Sequence, residues 1–128
     1  MTADDAADLI RNDAADAFSI KVSKNGGLSK SLVVARTAEA FGIRCLMNSM
    51  FEFGITQAAS LQLGCTLNNL LDCGHAYMSV LRMSDDITDF GNNIANAVVT
   101  VPDGPGLGVT IDEDKLQKYT RDYLTIEK

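Results

Sequence analysis

The sequence is poor in several residue types that mark whole classes of protein. It has no tryptophan, one histidine and two prolines among 128 residues. Its three cysteines, Cys45, Cys65 and Cys73, are an odd number without CxxC spacing. This pattern argues against a disulfide framework and against a His/Cys zinc site. It favours reduced thiols in the cytoplasm.

Basic residues and long apolar runs are scarce as well. Eleven Lys and Arg stand against 17 Asp and Glu, a formal net charge of -6, so nucleic acid and anionic membranes are not expected as partners. No apolar run approaches the roughly 18 residues of a membrane span. The opening residues, MTADD, do not have the basic and apolar stretches of a signal peptide. We therefore expect a cytoplasmic protein.

The apolar residues that are present alternate between helix-like and strand-like spacing, and they suffice for one packed domain. The predicted helices are 2–15, 29–41 and 54–64, and the predicted strands are 17–23, 43–47 and 70–74. We expect Thr2 and Asp5 to form a capping box and Ser29 to cap the second helix. In that second helix Val34, Ala38 and Phe41 form the predicted packing stripe.

The three strands start near residues 17, 43 and 70, with a helix in each gap. That spacing is typical of strand–helix units with parallel strands. It fits either part of a (β/α)₈ barrel or a small doubly wound sheet. Beyond them we predict a polar loop at 84–91, strands at 97–101 and 109–111, and a helix at 113–123 that Asp112 caps.

Lys21 is the most informative residue of the first strand. Phe18, Ile20 and Val22 alternate with Ser19, Lys21 and Ser23, so the lysine lies on the polar face. A surface strand would simply expose it. If it instead points into a barrel, desolvation lowers its pKa, and a neutral amine can take a proton from carbon or form a Schiff base.

Other polar residues give weaker signals. His75 follows the third predicted strand, where α/β sites form, although a lone histidine is more often structural. Asp85, Asp86 and Asp89 resemble a solvated acidic loop more than a calcium loop. The glycines of PDGPGLG, residues 102–108, lie between two strands and predict a rigid turn, since a phosphate loop would precede a helix.

Three segments together resemble the enolase superfamily, in its muconate lactonizing (cycloisomerase) subgroup. These are SIKVSKNGGL at 19–28, AEAFGI at 38–43, and VPDGPGLG at 101–108 followed by IDEDKL at 111–116. The resemblance implies an α/β fold, namely the C-terminal part of a (β/α)₈ (TIM-type) barrel with about three strand–helix units. It divides the chain into a partial barrel at 1–95 and a segment at 96–128 that returns to the capping domain.

The resemblance also implies a chemistry. Family members hold Mg²⁺ through three carboxylates and remove the proton next to a substrate carboxylate with one of two lysines. Lys21 matches the lysine at the end of the sixth strand. Asn48 and Ser49 end the seventh, where the mandelate racemase subgroup has histidine. His75 ends the eighth, where cycloisomerases have an acidic residue, and its surroundings resemble members that act on proline-like amino acids. We expect Asn48, Ser49 and His75 to bind substrate.

The metal carboxylates and the second lysine have no counterpart in the sequence. We therefore expect a piece of an enolase-superfamily racemase, epimerase, cycloisomerase or dehydratase that is inactive alone. It would be a truncated or split gene product, or a piece prepared on purpose. The alternative is a non-catalytic assembly module. In either case open strand edges favour a homo-oligomer or a complementary chain as partner.

Overall fold

The computed structural model describes residues 1–126, so residues 127 and 128 of the predicted C-terminal segment lie outside the described part. Its helices are α1 (Ala3–Arg11), α2 (Val22–Asn25), α3 (Leu28–Ala40), α4 (Gly54–Gly64) and α5 (Glu113–Tyr119). Its strands are β1 (Ala17–Ile20), β2 (Arg44–Met47), β3 (Ile94–Ala95) and β4 (Val98–Val99), and short 3-10 turns cover Ser79–Arg82 and Phe90–Asn93. None of the helices within residues 1–126 combines the length and apolarity that crossing a bilayer requires.

The predicted capping box at the start of α1 is confirmed. The Thr2 hydroxyl accepts from the Asp5 N–H at 3.2 Å, and the Asp5 carboxylate accepts from the Thr2 N–H at 2.7 Å. The predicted end at residue 15 is wrong, since α1 stops at Arg11. Asp13 has a φ of 51°, which helical backbone does not allow, and the Ala14 N–H turns back to the Leu9 carbonyl.

The first strand alternates as predicted but is shorter. Phe18 and Ile20 are buried while Ser19 is exposed, and β1 ends at Ile20. Lys21 precedes α2, and its N–H donates to Asn25 Oδ1 at 3.0 Å, which closes a helical turn where strand was predicted. Val22 is buried as expected, but from this turn.

The strands are parallel, as predicted. Ala17 to Ile20 pair in register with Arg44 to Met47. The predicted buried strand 70–74 is wrong in its second half, since only Leu70 bridges to Cys45 and residues 72–74 are exposed. Backbone bonding resumes when the Ala76 N–H donates to the Met47 carbonyl at 3.2 Å. The run Asp72-Cys-Gly74 is therefore a small outward bulge between two points of attachment.

Two helices cover the buried face of this sheet. α4 has the predicted bounds, while α3 starts at Leu28 with Gly27, at a φ of 102°, in the capping position predicted for Ser29. Val34 and Ala38 are buried, but Phe41 is 63% exposed because it lies beyond the last turn of α3. The core is apolar and continuous between sheet and helices: Phe18, Ile20, Val34, Ala35, Ala38, Cys45, Met47, Ala58, Leu61, Leu63.

The C-terminal part is less regular than predicted. Of the strand expected at 97–101 only β4 forms, and it pairs antiparallel with β3 across the boundary assumed between residues 95 and 96. The strand expected at 109–111 is reduced to one bridge between Thr88 and Ile111. Asp112 caps α5 as predicted, but α5 ends at Tyr119, because Thr120 already has extended backbone.

Candidate functional site

Several predicted site residues meet where β1 and β2 end. Lys21 Nζ lies 3.5 Å from Met50 Sδ, and Asn48 Nδ2 donates to Ser19 Oγ at 3.2 Å. These side chains lie on the face opposite buried Phe18 and Ile20. We call Lys21, Asn48, Ser49 and Met50 the strand mouth. Lys21 is partly exposed, and its catalytic role stays a prediction.

A buried amide fixes the backbone beside Lys21. Asn25 accepts from the Lys21 N–H through Oδ1 and donates through Nδ2 to the Met1 carbonyl at 2.8 Å. The side chain therefore ties the end of β1 to the start of α1. This turn sets the direction in which the backbone leaves the sheet at Lys21.

Glu52 joins α2, α4 and the 3-10 turn Ser79–Arg82, and sequence reasoning missed it. Its carboxylate accepts from the Ser23 hydroxyl and from Gln57 Nε2, the latter at 3.0 Å. Its carbonyl accepts from Ser79 Oγ at 2.7 Å. Gln57 is fully buried inside apolar α4, and a buried amide needs partners. Gln57 in an apolar helix was therefore the sequence signal from which the hydrogen bonds of Glu52 could have been predicted.

A pocket of about 310 Å³ opens beside the strand mouth. It is formed by the residues after β2 and by the 3-10 turn Ser79–Arg82. Its lining residues are Asn48, Ser49, Met50, Phe51, Ala76, Met78, Ser79 and Arg82. Of these only Arg82 carries a charge. Two predicted substrate-binding residues, Asn48 and Ser49, thus share one concave surface.

His75, the third predicted substrate-binding residue, lies elsewhere. Its Nδ1 accepts from the Met47 N–H at 3.2 Å. The imidazole therefore takes the place of the backbone carbonyl that a neighbouring strand would offer to this N–H. It lines a second pocket, of about 260 Å³, with Tyr77, Met78, Leu81 and the β3–β4 hairpin. The described residues do not place His75 in the pocket of Asn48 and Ser49.

Two buried groups nearby have perturbed acidity but structural roles. Burial raises the pKa of the Tyr77 hydroxyl well above its ordinary value, and this hydroxyl donates to the Ser60 carbonyl at 3.4 Å. Burial also raises the pKa of the Cys45 thiol, against the opposing effect of its hydrogen bond from Asn69. Both groups stay protonated at neutral pH and belong to the core.

The donor set of the described residues does not fit the Mg²⁺ of the family. Within residues 1–126 no three His, Cys, Asp or Glu side chains converge on a common point. The carboxylate nearest the strand mouth in the chain, Glu52, already serves Ser23 and Gln57. Octahedral Mg²⁺ needs converging oxygen ligands that these residues do not provide.

Comparison with known proteins agrees with the parallel strands and covering helices described above. Muconate cycloisomerase 1-1 of Acinetobacter lwoffii is 36% identical over 121 residues, 94% of this chain and 32% of that protein. The muconate lactonizing enzyme of Klebsiella pneumoniae superposes with a TM-score of 0.85 at 37% identity, over 94% of this chain and 34% of that one. An N-succinyl Arg/Lys racemase of Bacillus cereus gives a TM-score of 0.84 at 27% identity, over 93% and 31%.

The chain thus spans about a third of the length of the relatives it matches. These relatives bear out the α/β architecture, and the chain matches one part of these larger barrel proteins. The family model described as enolase C-terminal domain-like matches residues 1–115. Together with the parallel strands and the covering helices, these matches establish that the chain belongs to the enolase C-terminal domain-like family.

Proposed function

We propose that this chain supplies the sixth to eighth barrel strands and one catalytic base of an enolase-superfamily racemase, epimerase, cycloisomerase or dehydratase. Lys21 removes or returns the proton next to a substrate carboxylate, and proline-like amino acids are among the proposed substrates. The observation that carries the proposal is the position of Lys21 at the carboxyl end of a parallel strand, 3.5 Å from Met50 at the end of the next.

In this proposal the chain works only with a complement. Because its described residues do not fit Mg²⁺, the metal carboxylates and the second base come from sequence outside them. The complement also covers the strand mouth, where Lys21 is partly exposed. Free Cys45, Cys65 and Cys73 are consistent with a cytoplasmic setting.

The test is complementation. The chain is co-expressed with the part of Acinetobacter lwoffii muconate cycloisomerase 1-1 that lies outside the matched region. The purified assembly is then assayed in D₂O for deuterium uptake at the α-carbon of a panel of carboxylates, with proline and the lactone formed from muconate included. We expect exchange with at least one of them.

Lys21→Met is the decisive variant, and Lys24→Met is its matched control. Both remove one lysine charge near α2, but Lys24 lies on its exposed side. We expect Lys21→Met to slow exchange by about 100-fold or more, the usual contribution of a general base, and Lys24→Met to leave it unchanged. Equal exchange in both variants would refute the role of Lys21.

The second candidate is a non-catalytic assembly module. It is favoured by β1, which within residues 1–126 pairs on one edge only, and by exposed apolar side chains such as Phe51, 72% exposed, and Leu81, 60% exposed. Sedimentation equilibrium of the chain alone tests it. A stable oligomer, together with a complemented assembly that forms but exchanges no α-proton, would favour the module over the enzyme.

A further inference from the structure

The pocket beside the strand mouth contains one charge, and it is positive. Its lining combines the Arg82 guanidinium with uncharged polar groups and with the apolar side chains of Met50, Phe51 and Met78. No acidic residue lines it, although the whole chain has a net charge of -6. A second cation, Lys21 Nζ, lies 3.5 Å from Met50 Sδ.

Arg82 differs from three other arginines in the described part of the chain, because it has no partner there. Arg11 and Arg36 pair with Asp8 and Glu39, and Arg44 donates to the Leu70 carbonyl. Among residues 1–126 no carboxylate lies within 4.0 Å of the Arg82 guanidinium, and the guanidinium donates no hydrogen bond to another described residue. Arg82 is exposed and lines the pocket, so its donors are available to a ligand bound there.

The backbone that carries Arg82 is nevertheless firmly held. Arg82 ends the 3-10 turn that Ser79 begins, and both Ser79 and Val80 are buried. Ser79 Oγ donates to the Glu52 carbonyl at 2.7 Å, and Glu52 in turn is fixed by Gln57. An arginine on a fixed turn loses less freedom when it binds a ligand than one on a mobile tail.

From these observations we propose that Arg82 is a specificity-determining residue that binds the carboxylate of a small organic anion with an apolar body. A guanidinium matches a carboxylate with two parallel hydrogen bonds. The volume of about 310 Å³ suits a small ligand, and the methionine and phenylalanine side chains suit its carbon chain. The inference rests on the proposed function for its choice of carboxylate over other anions.

Binding to the chain itself tests the proposal. Hexanoate is titrated into ¹⁵N-labelled protein, with hexanamide as the neutral isostere and inorganic phosphate as an anion without an apolar body. We expect saturable shifts at the amides of Ser49, Met78 and Ser79, and binding of hexanamide and phosphate about 10-fold weaker or worse. Calorimetry gives the same dissociation constants and does not require resolved amide signals.

Substitutions assign the effect to one side chain. Arg82→Gln should weaken hexanoate about 10-fold, to the level of hexanamide, and Arg82→Lys should weaken it less because the charge remains. Arg121→Gln, at an exposed position after α5, makes the same change of net charge and should bind like the parent chain. Unchanged affinity in Arg82→Gln, shifts at other amides, or phosphate binding as tight as hexanoate would each overturn the proposal.

This result is separable from that of the proposed function. A complemented assembly that exchanges no α-proton, in a chain that binds hexanoate through Arg82, would refute the enzyme and keep the anion site. If instead the complemented assembly exchanges the α-proton and Arg82→Gln binds hexanoate as tightly as the parent chain, the enzyme is kept and the anion site is refuted.

Discussion

Two regions of the molecule are held together by different forces. The α/β unit, residues 1–71, packs β1 and β2 against α3 and α4 through buried apolar side chains. The C-terminal clasp, residues 85–89 with residues 110–119, is joined by hydrogen bonds and ion pairs, and α5 buries no residue at all. Apolar burial is not screened by salt and does not titrate, while exposed charge pairs are screened and do titrate. The two regions should therefore come apart under different conditions.

The clasp depends on one carboxylate above all. Asp85 pairs with Lys115 at 2.6 Å, lies 3.9 Å from the Lys118 ammonium and accepts from the Tyr119 hydroxyl at 3.0 Å. Asp89 and Thr110 exchange two hydrogen bonds next to it. The acidic loop is therefore not the solvated loop expected from the sequence. Asp85 binds α5, the Asp86 carboxylate accepts from the Gly54 N–H, and Asp89 bonds Thr110.

The largest effect is expected in the core of the α/β unit. Ile20→Ala removes a fully buried side chain between sheet and helices and should lower the free energy of unfolding by about 2–5 kcal/mol. Urea unfolding followed by circular dichroism measures it. Val33→Ala, on the exposed side of α3, should change stability by about 0.5 kcal/mol or less. Equal losses would mean that the two positions are equally buried in solution.

The next effect is expected where the two regions touch. A Cβ on Gly54 would lie 1.9 Å from Thr88 Oγ1 and 2.5 Å from Phe90 Cβ, so Gly54→Ala must push residues 86–90 away from α4. We expect a loss of about 1–3 kcal/mol in urea unfolding, the usual range for overpacking. Gly74→Ala is the control, because nothing lies within 4 Å of its Cβ. A Gly54→Ala protein as stable as the parent would show that the loop is not seated on the helix.

A smaller and local effect is expected from Asp85→Asn. It removes the charge that Lys115 and Lys118 share without changing the size of the side chain. Amide hydrogen exchange in α5 should accelerate while exchange in β1 stays the same, and added salt should mimic the substitution in the parent. Asp103→Asn, at an exposed turn position, should leave α5 unchanged. Uniform acceleration across both regions would contradict separate clasp opening.

The smallest effect is the pH dependence of the clasp. The hydrogen bond from Lys115 lowers the pKa of Asp85, and Asp85 raises the pKa of Lys115. The Asp85 contribution is therefore present above the ordinary aspartate value of about 3.9 and is lost as the pH falls through its lower folded value. The Lys115 contribution is present below about 10.4 and is lost as the pH rises through its higher folded value.

Amide chemical shifts of α5 recorded across the pH range measure this window. We expect them to stay constant at neutral pH and to move only in strong acid and strong base. In Asp85→Asn the acid step should disappear. An α5 that detaches near neutral pH would contradict the assignment of the clasp to this pair.

The sequence predicted helices and strands where the spacing of the apolar residues agrees with the capping and turn residues at their ends. The alternation of Phe18, Ser19 and Ile20 defined β1, and the capping box of Thr2 and Asp5 defined the start of α1. The ends were less predictable, because they are decided by tertiary bonds. Asn25 reaches back to the Lys21 N–H and turns an apparently continuous strand into helix.

The site residues at the strand ends could be predicted from the sequence, but Arg82 and Glu52 could not. Lys21, Asn48 and Ser49 follow strands, so their neighbourhood could be read from the spacing. Arg82 lies in a turn without periodicity, and Glu52 acquires its role only through Ser23 and Gln57, which are distant in sequence or on another element. His75 lines a different pocket from Asn48 and Ser49. The bulge before it cannot be predicted from composition, and its substrate-binding role stays a prediction.

That bulge has a practical consequence. Residues 72–74 leave the sheet between two backbone anchors, the Leu71 N–H on the Cys45 carbonyl and the Ala76 N–H on the Met47 carbonyl. Cys73 stands at its exposed tip. With Cys65 replaced by serine and Cys45 shielded in the core, a fluorophore or spin label attached at Cys73 would report on the carboxyl ends of the strands without altering a ladder hydrogen bond. The same chain thus carries a ready attachment point from which docking of a complementary barrel segment could be followed in real time.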